Sequence, residues 1–149
     1  MFEINQQTIN NEIELTGIGL HNGQKVNLVI KPLEVDSGII FKRIDINQDN
    51  IINASFKNVV EPILCTKIKN KKNISVSTVE HLMAAFYGEG IDNALVEVDA
   101  PEIPIMDGSA VEFVEAIKSS GIQKQNKKRK FIRVLRKIEV YDDQKYISI

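Results

Sequence analysis

Only two stretches of this 149-residue chain carry a helical period, and the rest of its apolar content comes in short runs rich in β-branched residues. In residues 77–87, Val79, Leu82, Met83 and Phe86 recur at spacings of three and four, and the pattern stops at Gly88 and Gly90. In residues 109–120, Ala110, Phe113, Val114 and Ile117 lie on one stripe, with Gly121 placed to cap the end. Residues 12–20, 25–31 and 38–43 read as strands, separated by Asn22-Gly23 and by Asp36-Ser37-Gly38. Asn22-Gly23 predicts a type I′ hairpin turn, because both of its central positions need positive φ, and it puts His21 at the hairpin tip. Further strands are predicted at residues 63–68, 74–77 and 94–99. The fold class that follows is α+β, a small mixed or antiparallel sheet with two helices layered on one face.

With 43% hydrophobic residues the chain can bury roughly 70% of its unfolded surface around one core. Nineteen basic against twenty acidic residues leave a net charge of -1, so no global field draws the protein to nucleic acid or anionic lipid. Cys65 is the single cysteine, which rules out an internal disulfide or a zinc site built from several thiolates and suits a reducing cytoplasm. The opening residues lack the basic stretch and apolar core of a signal peptide, and no apolar run reaches the ~20 residues of a transmembrane segment, so a cytoplasmic location is expected. Residues 123–130 (QKQNKKRK) are polar and basic without interleaved aromatics, which favours a solvated linker over a nucleic-acid contact. After them a strand-like pattern resumes and is still alternating at residues 146–149, as if a strand were cut. The organisation expected is an amino-terminal α+β domain at 1–122, a basic linker at 123–130 and the truncated start of a second α+β domain at 131–149.

The residues that could carry chemistry begin with Glu80 and His81, adjacent in the first turns of the first helix. At about 100° per residue His81 points almost opposite Val79, with Ala84 and Ala85 as neighbours, a face with room for a metal and a substrate. A carboxylate one residue earlier is close enough to act on a metal-bound water. The bland alternative is a capping box, since Ser77 to Glu80 is S-x-x-E ahead of an apolar run. His81 likewise lacks the second histidine at i+4 that makes a zinc helix specific. Residues 99–110 (DAPEIPIMDGSA) read as a stiff crossing ahead of a second capping box, Ser109 to Glu112, with Asp107 a helix-end charge. Cys65 reads as a buried apolar residue.

Taken together, residues 16–23 (TGIGLHNG), 64–66 (LCT), 77–82 (STVEHL), 90–93 (GIDN) and 101–109 (PEIPIMDGS) closely resemble the UDP-3-O-acyl-N-acetylglucosamine deacetylases of lipid A synthesis in Gram-negative bacteria. The resemblance runs from Ile13 onward and corresponds to about the first half of a family member. It implies that His81 is one of three protein ligands to a catalytic Zn2+ and that Glu80 is the general base. It gives His21 and Cys65 a place lining the site. It implies a fold of two domains, each with a small sheet and two helices, and assigns the remaining zinc ligands to the carboxy-terminal domain. UDP-3-O-acyl-N-acetylglucosamine is then the substrate. A chain with one of three ligands is expected to be too short to catalyse the reaction alone. The competing expectation is a non-catalytic module that folds alone and binds metal or a sugar nucleotide weakly.

Overall fold

The computed structural model describes residues 4–60 and 63–149. In chain order it contains β1 (Asn5–Ile9), β2 (Ile13–Ile18), β3 (Lys25–Pro32), β4 (Ile39–Arg43), β5 (Ile51–Asn53), a 3₁₀ turn at Phe56–Asn58, β6 (Ile68–Lys69) and β7 (Ser75–Val76). Then follow α1 (Glu80–Glu89), β8 (Ala94–Val98), α2 (Val111–Ser120), β9 (Ile122–Lys128), β10 (Glu139–Asp142) and β11 (Lys145–Ser148). The fold is α+β, as expected.

The central sheet has the order β2-β3-β8-β4-β5; its pairs are antiparallel except β4 with β8. Side chains of period two give it one apolar face: Val26, Leu28 and Ile30 on β3, Val96 and Val98 on β8, Phe41 on β4 and Ile52 on β5 are buried. Registered pairs such as Ile30 with Val96 and Phe41 with Ile52 make that face continuous. The opposite face is polar, with Glu97 between Lys31 and Lys42 at 2.9 and 2.8 Å.

Helices α1 and α2 pack beside each other over the apolar face, through Val79, Leu82 and Phe86 on one and Phe113 and Ile117 on the other. Val114 is partly buried against the same cluster. Burying each of the large side chains contributes about 1.5–3 kcal/mol. Helix α1 ends as its glycine predicts: Gly90 takes φ +71, and its N–H and that of Ile91 bond back to carbonyls of the last turn.

Three local expectations are overturned. The connection of β2 to β3 is a six-residue loop rather than a two-residue type I′ turn: Gly23 has φ +66 but Asn22 stays out of that region and instead accepts the Gln24 N–H at 2.8 Å. Of residues 63–68 only Ile68 is in a strand, because Leu64 adopts φ +60 and breaks the extended run. The segment read as a solvated linker is mostly strand β9, antiparallel to β1 from Asn5 with Lys128 to Ile9 with Ile122. Two of its charges are anchored on the body of the fold. Lys127 pairs with Asp36, and Arg129 donates to Asp92 at 2.8 Å and to the Gly90 carbonyl. Residues 145–148, where the alternating pattern continues, are strand β11 and pair along their length with β10 as a hairpin, whose side chains are exposed.

Candidate active site

Helix α1 begins at Glu80, and its first turn is held by neighbouring loops rather than by a cap. Residue Val79 occupies the N-cap position with no side-chain capping bond. Ser77 Oγ donates to the Pro101 carbonyl, and Glu80 Oε2 accepts the Thr66 N–H at 2.9 Å. The expected capping box at Ser77 to Glu80 is therefore not formed. The reason is a better-placed donor: the strand-like bridge of Ser77 with Glu102 draws the serine toward the 99–105 loop, and the Thr66 amide meets the glutamate from the other side. The Val79 N–H donates in turn to the Thr66 carbonyl, so the loop carrying Cys65 is clamped to the helix start. Cys65 is half-exposed and free, which corrects its reading as a buried apolar residue.

Around α1, Leu82, Ala85 and Phe86 face the core, while Ala84, Tyr87 and Gly88 are exposed. His81 lies at the edge between these arcs and is half-buried. The face beside it is only partly as expected: Ala84 is open, but Ala85, on the core side of the ring, is buried. Across from His81, the loop before α2 brings up Asp107. The backbone N–H of Ser109 and then its hydroxyl, each 2.8 Å from Asp107 Oδ1, hold that carboxyl below its usual range, and the charge of His81 adds to the effect. Ser109 Oγ also accepts the Val111 N–H at 3.1 Å, but α2 has Ala110 at its N-cap position with no side-chain capping bond and the Ser109 N–H goes to Asp107, so the second expected capping box is not formed either.

His21 sits in the loop after β2 with its ring exposed. Its N–H, at 3.1 Å, and that of Asn22 reach the buried carboxylate of Glu102. Glu102 also accepts from Thr78 Oγ1 at 2.8 Å, linking the His21 loop to the start of α1. The sequence reading passed over Glu102 as part of a scaffold loop. Its signal was a single charged residue inside an otherwise apolar run from Ala100 to Met106. Among the described residues no group of three or more His, Cys, Asp or Glu side chains is placed to hold a metal ion. His81 with Asp107 near it offers one imidazole, so the residues described do not by themselves complete a zinc site. An open cavity of about 780 Å³ between Thr8, Leu33 and Gln125 is lined by none of these residues.

The family profile of LpxC, UDP-3-O-acyl N-acetylglycosamine deacetylase, matches residues 6–149. The chain belongs to this family. A UDP-3-O-acyl-N-acetylglucosamine deacetylase of Teredinibacter turnerae is 52% identical over 142 residues, covering 95% of this chain and 46% of the relative. Proteins of the same name from Aliivibrio fischeri and Legionella pneumophila are 44% and 46% identical over 98% and 97% of the chain. The chain thus spans about half the length of the curated family members it matches.

Proposed function

We propose that this chain supplies the amino-terminal half of a zinc-dependent hydrolase that removes the N-acetyl group of UDP-3-O-acyl-N-acetylglucosamine in lipid A biosynthesis of Gram-negative bacteria. The observation that carries the reading is the placement of Glu80: its carboxylate is free of helix capping, oriented by the Thr66 N–H, and next in sequence to the half-buried His81. Glu80 takes a proton as water attacks the acetamide carbonyl carbon. The C–N bond then breaks, acetate leaves, and the proton passes to the amine left on the sugar. Zinc, when held by His81 and by ligands from a further domain, lowers the pKa of water to about 7 and polarises the carbonyl. His21 and Cys65 line the site. In this reading residues 1–122 form the body of the first domain, 123–130 complete it through β9 on β1 before the chain leaves, and 131–149 begin the second. A cytoplasmic place of action fits the lone free thiol and the absence, among the described residues, of a helix long and apolar enough to cross a membrane.

The same reading makes residues 1–149 inactive alone, since catalytic zinc sites use three protein ligands and this chain brings one. A second reading, a non-catalytic module that binds metal or a sugar nucleotide weakly, is favoured by that same incomplete ligand set. Acetate release from the UDP-sugar, followed with residues 1–149 alone and with the carboxy-terminal half of a relative added or fused, separates the two. Restored zinc-dependent turnover on addition supports the deacetylase. Zinc-dependent turnover by the isolated chain, abolished by His81→Ala, would overturn the assignment of the other ligands to a second domain. A fused enzyme that folds, binds zinc and still releases no acetate would leave the module.

A further inference from the structure

Glu102 is 1% exposed, yet every bond it makes is to a neutral donor: the His21 N–H at 3.1 and 3.2 Å, the Asn22 N–H at 3.1 Å and Thr78 Oγ1 at 2.8 Å. Two observations set it apart from an ordinary buried carboxylate. Thr78, itself 2% exposed, has φ +59, a left-handed conformation that is strained for a β-branched residue and persists only when its surroundings hold it. On the other side, Gly19 leaves space that a side chain would fill, since a Cβ there would fall 2.6 Å from Glu102 Oε2. The parallel bridge of Ser77 with Glu102 lays the two segments side by side, so the threonine hydroxyl is presented to the carboxylate at the residue where the chain turns into α1.

We infer that Glu102 is the positioning residue that fixes the start of α1, and with it Glu80 and His81, relative to the loop that carries His21. The inference rests on the catalytic reading of Glu80 and His81 given above. Among the described residues Glu102 is hydrogen-bonded to neither of them. It acts through Thr78, whose strained turn sets the direction in which Val79 and Glu80 leave, and hence the reach of the Glu80 carboxylate to the Thr66 N–H. Glutamine at 102 has the same shape but sets an NH₂ either against the Asn22 N–H, which is left unpaired, or against Thr78 Oγ1 and the His21 N–H, where the hydroxyl must accept instead of donate and the amide loses its shorter bond.

The test is amide hydrogen exchange on residues 1–149 carrying Glu102→Gln, Thr78→Val or Thr78→Ser, with turnover of the same variants in the enzyme completed by a second half. In Glu102→Gln and Thr78→Val, the amides of His21, Asn22 and Thr66 should exchange at least about 10-fold faster, while those of Ile30 and Val96 in the central sheet stay unchanged. Thr66 is decisive because it reports on Glu80 and has no contact with Glu102 in the hydrogen bonds described. Turnover should show kcat lowered on the order of 10–100-fold with KM within about twofold, the signature of misplaced chemistry, and Thr78→Ser should restore both readouts. If Glu102→Gln does not fold, Thr78→Val carries the test. An unchanged Thr66 amide in the variants that fold, or equal loosening of Ile30 and Val96, would overturn the inference. Should Glu80→Gln retain full turnover while the Thr66 amide responds as expected, the catalytic reading fails and the positioning of Glu80 by Glu102 stands.

Discussion

Replacing Glu80 by Gln in the completed enzyme separates chemistry from helix stability, because the structure sets different sizes for the two effects. The Glu80 carboxylate makes one hydrogen bond among the described residues, from the Thr66 N–H at 2.9 Å, and contributes no cap to α1. A glutamine oxygen can accept the same N–H, so the change exchanges a charge-assisted bond worth about 1.5–3 kcal/mol for a neutral one worth about 0.5–1.5 kcal/mol. The expected loss of stability is about 1 kcal/mol, a fall in Tm of roughly 2–4 °C for a unit the size of this domain. A glutamine cannot take the proton of the attacking water, which should cost roughly 10²–10⁴-fold in kcat, or about 3–5 kcal/mol in the barrier. The rate loss should thus far exceed what the melt accounts for, with zinc content unchanged. Acetate release, calorimetric melting and metal analysis on one preparation make the comparison. Turnover within about threefold of the unsubstituted enzyme would refute the base assignment, and a fall in Tm beyond about 10 °C would refute the claim that Glu80 does not hold the helix.

In the same enzyme His81→Ala should lose bound zinc, read by atomic absorption, while Tm moves little, because the ring is half-buried at the edge of the core. Asp36 is held at about 2, from 3.8, by its bonds with Lys127 and then Gln6. A carboxyl depressed in the folded state adds stability above its unfolded value that is lost as pH falls from there through about 2, so Asp36→Asn should flatten the melting curve against pH between about 4 and 2. Gly90→Ala should cost about 1–2 kcal/mol in urea unfolding, since a Cβ at φ +71 is strained and would fall 2.7 Å from an Arg129 guanidinium nitrogen.

The parts of the fold legible in the sequence are those where apolar residues keep a strict period. Strands β2, β3, β4 and β8 and both helices were predicted because one face of each is buried, down to the individual positions Leu82, Phe86, Phe113 and Ile117. Strands β1 and β9 were not, because their inward side chains are polar. Gln6 and Thr8 are buried but find Asn93, with Asn93 donating to both Gln6 and Gln125 at 2.9 and 2.7 Å, so the polar pattern that signals a solvated segment here marks a satisfied interior network. The candidate site residues were read on two grounds: helix geometry drew attention to Glu80 and His81 but spacing favoured a capping box that the structure does not form, and only the family likeness pointed to His21 and Cys65. Glu102 stayed hidden because local sequence cannot tell which backbone amides a glutamate will meet 80 residues away.

The ladder between β1 and β9 joins residues 5–9 to residues 122–128. On a ribosome the first strand therefore emerges long before its partner exists. At about 5–20 residues per second, synthesis of the intervening chain takes on the order of 10 s, far longer than the microseconds in which a hairpin closes. During that interval the nascent amino terminus presents an open strand edge, and the sheet and helices between can assemble without it. Ile9 of β1 belongs to the apolar core, and Gln6 and Thr8 to the polar network around Asn93, so this flank of the interior reaches its full set of partners only once the basic strand has been made, like a clasp on the rest of the domain.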